Sequence, residues 1–136
     1  MSTLSNVLII EDNEMNLQMV KDLLTDEGIE TFEAKNGEVG LEIANQIFPD
    51  VILLDLSLPN KDGYEILKEL RSNDNTKNIV VLAFTAMVVK DDIEKIKLSG
   101  FDGLISKPIN IQNFVDTVKS YFLTRAASGE GDCRKV

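Results

Sequence analysis

Glu11, Asp12, Asp55, Thr85 and Lys107 are the residues of this chain whose types and positions can act as one chemical unit. Each closely follows an apolar stretch: Val7–Ile10 before Glu11-Asp12, Val51–Leu54 before Asp55, Ile79–Phe84 before Thr85, and Gly103–Ser106 before Lys107. A short continuous apolar run reads as a strand buried on both faces. Open α/β sheets bind ligands at the carboxyl ends of their strands. Three carboxylates gathered there repel, so either a cation compensates them or a raised pKa keeps one protonated. The chain has no histidine, and its single Cys133 lies far from these residues in sequence, so the ligand set is all oxygen. That set suits Mg²⁺ or Mn²⁺, and magnesium held by one or two carboxylates keeps positions open for water and phosphate oxygens. Lys107 offers a point charge and Thr85 a hydroxyl, both suited to phosphoryl oxygens. A carboxylate can attack a phosphoryl group to form an aspartyl phosphate, which makes Asp55 the candidate nucleophile. Metal, lysine and hydroxyl would then stabilise the charge on the transferring oxygens. Taken alone, each residue has a plainer use: Asp12 or Thr85 as a helix cap, Asp55 and Lys107 as turn residues. Their joint appearance at the ends of four strands argues for a site.

The elements that must position them alternate. Strands are expected at Val7–Ile10, Glu30–Ala34, Val51–Leu54, Ile79–Phe84 and Gly103–Ser106. The first helix carries Leu17, Val20, Leu23 and Leu24 at helical spacing, is capped by Asp12 or Asn13 and stops at Gly28. The second runs from Glu38 to Phe48, with Leu41, Ala44, Ile47 and Phe48 facing inward, and ends at Pro49. The third spans Gly63 to Ser72 with Tyr64, Leu67 and Leu70 on one face. The fourth spans Lys90 to Ser99 with Ile93 and Ile96 inward, and stops at Gly100. The fifth begins near Asn110 and carries Phe114, Val115, Val118, Tyr121 and Phe122. Five strands alternating with five helices imply an α/β fold, a parallel sheet doubly wound by right-handed crossovers. The order 2-1-3-4-5, with its switch point between the first and third strands, is the one adopted here. Residues 1–123 form the expected domain, and 124–136, small, polar and charged, a flexible tail.

Composition narrows the function classes. The chain is 136 residues long, 43% hydrophobic and 27% charged, as expected of one ordinary globular domain. Its 23 acidic and 14 basic residues leave a net charge of −9, which opposes binding to nucleic acid. The missing histidine removes His-based acid–base catalysis and Ser-His-Asp machinery, and any phosphohistidine must sit on a partner. No apolar run is long enough to span a bilayer, and residues 1–6 lack the basic start and long apolar core expected of a signal peptide. One cysteine fits a reducing compartment, so a cytoplasmic location is expected.

This set of motifs resembles the receiver domain of two-component response regulators, the CheY-like family, from about Asn6 to Leu123. Carrying the likeness are Glu11-Asp12, Asp55 within Leu54-Asp55-Leu56-Ser57-Leu58-Pro59, Gly63, Thr85-Ala86 and Lys107-Pro108. Glu11-Asp12-Asn13 with Asn16, and the expectation of no output domain, are most similar to stand-alone regulators of the DivK type, though receivers excised from hybrid histidine kinases share these features. The resemblance implies a signalling phosphoacceptor rather than an enzyme. Asp55 would take a phosphoryl group from the phosphohistidine of a sensor kinase or histidine phosphotransfer protein. Asp12, Asp55 and the backbone carbonyl of Ser57 would bind Mg²⁺, with Glu11 acting mainly through metal-bound water. Thr85 and Lys107 would contact the phosphoryl oxygens, and the Lys107–Pro108 bond would be cis. Phosphorylation would alter the face of helix four, strand five and helix five that meets a downstream protein. Lys90, Lys95 and Lys97 add positive charge there. The family's aromatic switch position is Leu104 here, which implies a weaker or differently built switch. Ser57 and Met87 would flank the phosphoryl group, and the apolar Met87 favours a long-lived one.

Three other readings fit less well. A flavodoxin-like carrier needs a phosphate-cradling loop where this chain has Glu11-Asp12-Asn13-Glu14. An aspartate-nucleophile phosphatase wants a second acid two residues past the first, where Ser57 stands. A module that is never phosphorylated would have no need of the acid, hydroxyl and lysine together.

Overall fold

A computed structural model of the chain describes residues 6–56, 58, 62–85, 90–107 and 109–130, with the side chains of 90–92 and 123–130 left aside. Ser57, Met87 and Pro108, each singled out above, lie outside the described residues. The strands are β1 (Asn6–Ile10), β2 (Glu30–Ala34), β3 (Val51–Asp55), β4 (Val80–Thr85) and β5 (Gly103–Ser106). The helices are α1 (Glu14–Thr25), α2 (Gly37–Ile47), α3 (Gly63–Ser72), α4 (Lys90–Ser99) and α5 (Ile111–Glu130). All strands are parallel, in the order β2-β1-β3-β4-β5. The doubly wound expectation therefore holds.

The apolar runs explain the layering. β1, β3 and β4 lie inside the sheet, and residues Val7–Ile10, Val51–Leu54 and Val81–Phe84 are at most 1% exposed. Alternate side chains go to opposite faces. Leu8, Ile10, Ile52, Leu54 and Ala83 join Ala44, Ile66, Leu67, Leu70 and Ile96 in one cluster. Val7, Ile9, Leu53, Leu82 and Phe84 join Leu17, Val20, Leu24, Phe114 and Val118 in the other.

Local chemistry sets the helix ends. Asn13 begins α1, its side chain accepting the Asn16 N–H at 3.0 Å. Asn36, Asp62 and Asn110 do the same for α2, α3 and α5 through the N–H groups of Val39, Tyr64 and Gln112. Beyond α1 and α4 stand Gly28 and Gly100 at φ 80° and 108°, a left-handed conformation that glycine adopts at no steric cost.

Two expectations differ from the fold. Phe48 does not face inward: it is 49% exposed. It caps α2 in the left-handed region at φ 49°, and this reversal before Pro49 swings the ring away from the face that helical spacing assigns to it. Instead Gly37, Gly40 and Ala44 are the buried residues of α2. α5 continues to Glu130, past the boundary placed at residue 123.

Candidate functional site

The site is built by the carboxyl ends of β1, β3, β4 and β5. Backbone pairing carries β1 one residue past Ile10, since the Glu11 N–H donates to Ala34 O of β2 at 2.9 Å. Asp55 is the last residue of β3 and stands in register with Phe84 of β4. The Leu56 N–H still donates to Phe84 O, at 3.3 Å. Thr85 ends β4 in register with Ser106, and the Lys107 N–H donates to Thr85 O at 2.9 Å. Gly63 opens α3 hard against this edge: a Cβ there would stand 3.1 Å from Asp55 O and 3.0 Å from Leu56 Cα. Any side chain there would force the Leu56 side chain and the strand end to give way, so glycine lets α3 pack closely against the strand end that presents Asp55.

Glu11, Asp12, Asp55 and Lys107 lie close together. Lys107 Nζ lies 3.0 Å from Glu11 Oε1 and 3.3 Å from Asp55 Oδ1. Glu11, Asp12 and Asp55 offer carboxylate oxygens all within 4.8 Å of one another. They are not equivalent. Glu11 and Asp55 are buried, at 0% and 1% exposure, as is Thr85 at 2%, whereas Asp12 is exposed. The Asn13 N–H donates to Glu11 Oε2 at 3.1 Å. Glu11 Oε1 is buried without a hydrogen bond of good geometry, although the lysine is near. That contact is an ion pair by distance alone.

Burial pushes the Glu11 carboxyl from the usual 4.5 up to about 7. The facing Asp55 carboxyl adds to the rise, while the Asn13 N–H and the Lys107 ammonium pull the other way. One lysine therefore does not balance two buried acids. An orphaned buried carboxylate oxygen inside an all-oxygen cluster is the donor chemistry of a hard divalent cation, so these residues fit Mg²⁺.

Against this geometry, the comparisons with known proteins are decisive. Residues 7–119 match the family model described as the response regulator receiver domain. The chain belongs to that family. It is 41% identical to the polar-differentiation response regulator DivK of Brucella anthropi over 116 residues, covering 85% of this chain and 94% of that one. The chemotaxis protein CheY4 of Vibrio cholerae, crystallised at low pH, superposes with a TM-score of 0.82 at 28% identity, covering 88% and 99% of the two chains. The signal receiver domain of a putative LuxO repressor protein from Vibrio parahaemolyticus shares the fold, with a TM-score of 0.87 at 23% identity over 96% and 98%. The receiver domain is thus a signalling module of two-component systems, as its motifs imply.

The strand ends were readable in sequence; two other features were not. Phe84 reads there as one more core residue, yet its ring centroid lies 4.7 Å from Lys107 Nζ. An aromatic residue directly before the threonine was the available signal, but only the register places it beside the lysine. Lys95, read as a surface charge, stands 4.5 Å over the Tyr64 ring. Leu104 is half-buried and borders a cavity of about 140 Å³ with Ile105, Asn113 and Phe114.

Proposed function

We propose that this receiver domain accepts a phosphoryl group on Asp55 from the phosphohistidine of a partner kinase or phosphotransfer protein, and signals by protein–protein contact in the cytoplasm. The observation that carries the reading is the arrangement around Asp55: a buried carboxylate at a strand end, with a lysine ammonium 3.3 Å away and two further acids beside it. An Asp55 Oδ atom forms the new bond to phosphorus. The phosphorus–nitrogen bond of the donor breaks, and its electron pair stays on the imidazole. Lys107 and Thr85 hold the phosphoryl oxygens, which keeps charge development inside a preorganised pocket. Asp12 and Asp55, with Glu11 beside them, would hold Mg²⁺, and the family resemblance adds the backbone carbonyl of Ser57, which lies outside the described residues. The ion's chemistry when bound is to neutralise these acids and part of the phosphoryl charge. The resulting signal leaves through the face of α4, β5 and α5, where Leu98 is 88% exposed.

Incubation with Mg²⁺ and acetyl phosphate, followed by intact-mass measurement, tests this. One phosphoryl group is gained by the protein and none by Asp55→Ala. A gain that persists in Asp55→Ala, or turnover of generic phosphate esters, overturns the reading.

A further inference from the structure

We propose that Phe84 is a positioning residue for Lys107, its ring face keeping the ammonium at the site when a divalent cation takes over the carboxylates. The inference rests on the function proposed above.

Among the described residues, the Lys107 ammonium has three partners of two kinds. Glu11 Oε1 and Asp55 Oδ1 attract it as ions, and the Phe84 ring, 4.7 Å from Nζ to centroid, attracts it through the negative face of its quadrupole. The ionic partners are the ones a bound cation would claim. A doubly charged ion among Glu11, Asp12 and Asp55 weakens both ion pairs and repels the ammonium. Lysine is long, flexible and strongly hydrated, and this one is 18% exposed, so water is open to it. The ring is neutral and is not a ligand that a cation among the carboxylates would claim, so this attraction would remain.

Phe84 is fixed where this matters. It is the penultimate residue of β4, in register with Asp55 on one side and Ile105 on the other. It therefore sits between the strand that ends in the acceptor and the strand that leads to the lysine. At 1% exposure it is held by the apolar cluster that includes Leu82, Ile105 and Phe114. Attraction between a cation and a ring is stronger in such a water-poor setting.

The plainer use of a buried phenylalanine is to fill space. The test must therefore change the ring's electrostatics at nearly constant shape. Site-specific replacement of Phe84 by mono-, di- and trifluorinated phenylalanine does so, since each fluorine withdraws charge from the ring face. The rate of phosphorylation by acetyl phosphate falls stepwise along the series, by about two- to thirtyfold at the last step, while the thermal midpoint stays level. A second readout needs no turnover. The ε-methylene protons of Lys107 show a ring-current shift by NMR in the metal-free protein, keep it in saturating Mg²⁺, and lose it in Phe84→Leu. A flat rate along the fluorine series overturns the proposal, as does loss of that shift when Mg²⁺ is added. If the unsubstituted protein gains no phosphoryl group, the proposed function fails, and the NMR shift alone decides whether Phe84 places Lys107.

Discussion

Two charge clusters in this molecule are built from similar parts to opposite ends. At the far side of α3, Arg71 closes a network in which each contact is well made. Its Nη1 donates to the carbonyls of Lys77 at 2.9 Å and Ile79 at 2.7 Å, and its Nη2 to Gly100 O and Asp102 Oδ2, both at 2.9 Å. Asp102 Oδ2 also accepts the Val81 N–H at 2.9 Å. This arginine ties the end of α3, the approach to β4 and the turn before β5 into one unit. At the strand ends, among the described residues, two buried acids face one lysine, and Glu11 Oε1 is buried without a hydrogen bond. A satisfied cluster stabilises a fold. An unsatisfied one costs stability, and it persists where something else is to bind.

Substitutions that separate the two clusters should do so in opposite observables. The largest effect is expected from Lys107→Ala: the rate of phosphorylation by acetyl phosphate falls roughly 10²–10³-fold, as when one preorganised donor to a developing charge is removed. A loss under tenfold would mean that the lysine is not aimed at the phosphoryl oxygens. Arg71→Ala should leave that rate within a factor of two, a bound we set for an uninvolved site, and lower unfolding free energy by about 2–3 kcal/mol, measured by urea titration. A rate that falls with Arg71→Ala at preserved folding would couple the two clusters.

A smaller effect comes from pH. The Glu11 carboxyl is raised in the folded state, to about 7 from 4.5. Below 4.5 it is protonated folded or unfolded, and its contribution to stability is fully present. As pH rises toward about 7, the unfolded chain releases this proton first, so the contribution is lost. In EDTA, urea midpoints should therefore carry a falling component across that window, and Glu11→Gln should flatten it. Mg²⁺ should stabilise the protein more at the top of the window than at the bottom, because it competes with the proton. Equal stabilisation at both ends would place the ion elsewhere. The smallest effect serves as the control. Asp74→Ala breaks an exposed pair with Lys77 at 3.3 Å, and it should cost no more than ~0.5 kcal/mol with no change in rate.

Which of these features the sequence discloses follows from their range. Asp55, Thr85 and Lys107 are legible because each ends an apolar run, and the strand order then brings the runs together. The difference between Glu11 and Asp12 is not legible. They are adjacent acids, but the N–H of one extends the β1–β2 ladder and carries its side chain into the protein, while the other begins the turn into α1. Phe48 shows the same limit from the other side: helical spacing assigns it to the core, and a left-handed cap turns it out. Arg71 and Asp102 lie 31 residues apart with nothing local to link them.

The sequence by itself determined the alternation of strands and helices, the parallel doubly wound class and the chemical types gathered at the strand ends, because periodicity, caps and chain breaks act over a few residues. Only the tertiary structure decided which acid is buried, how far its pKa rises and that a phenylalanine ring faces the lysine. Those properties depend on dielectric and distance among residues far apart in the chain, which exist only once β1, β3, β4 and β5 stand in register.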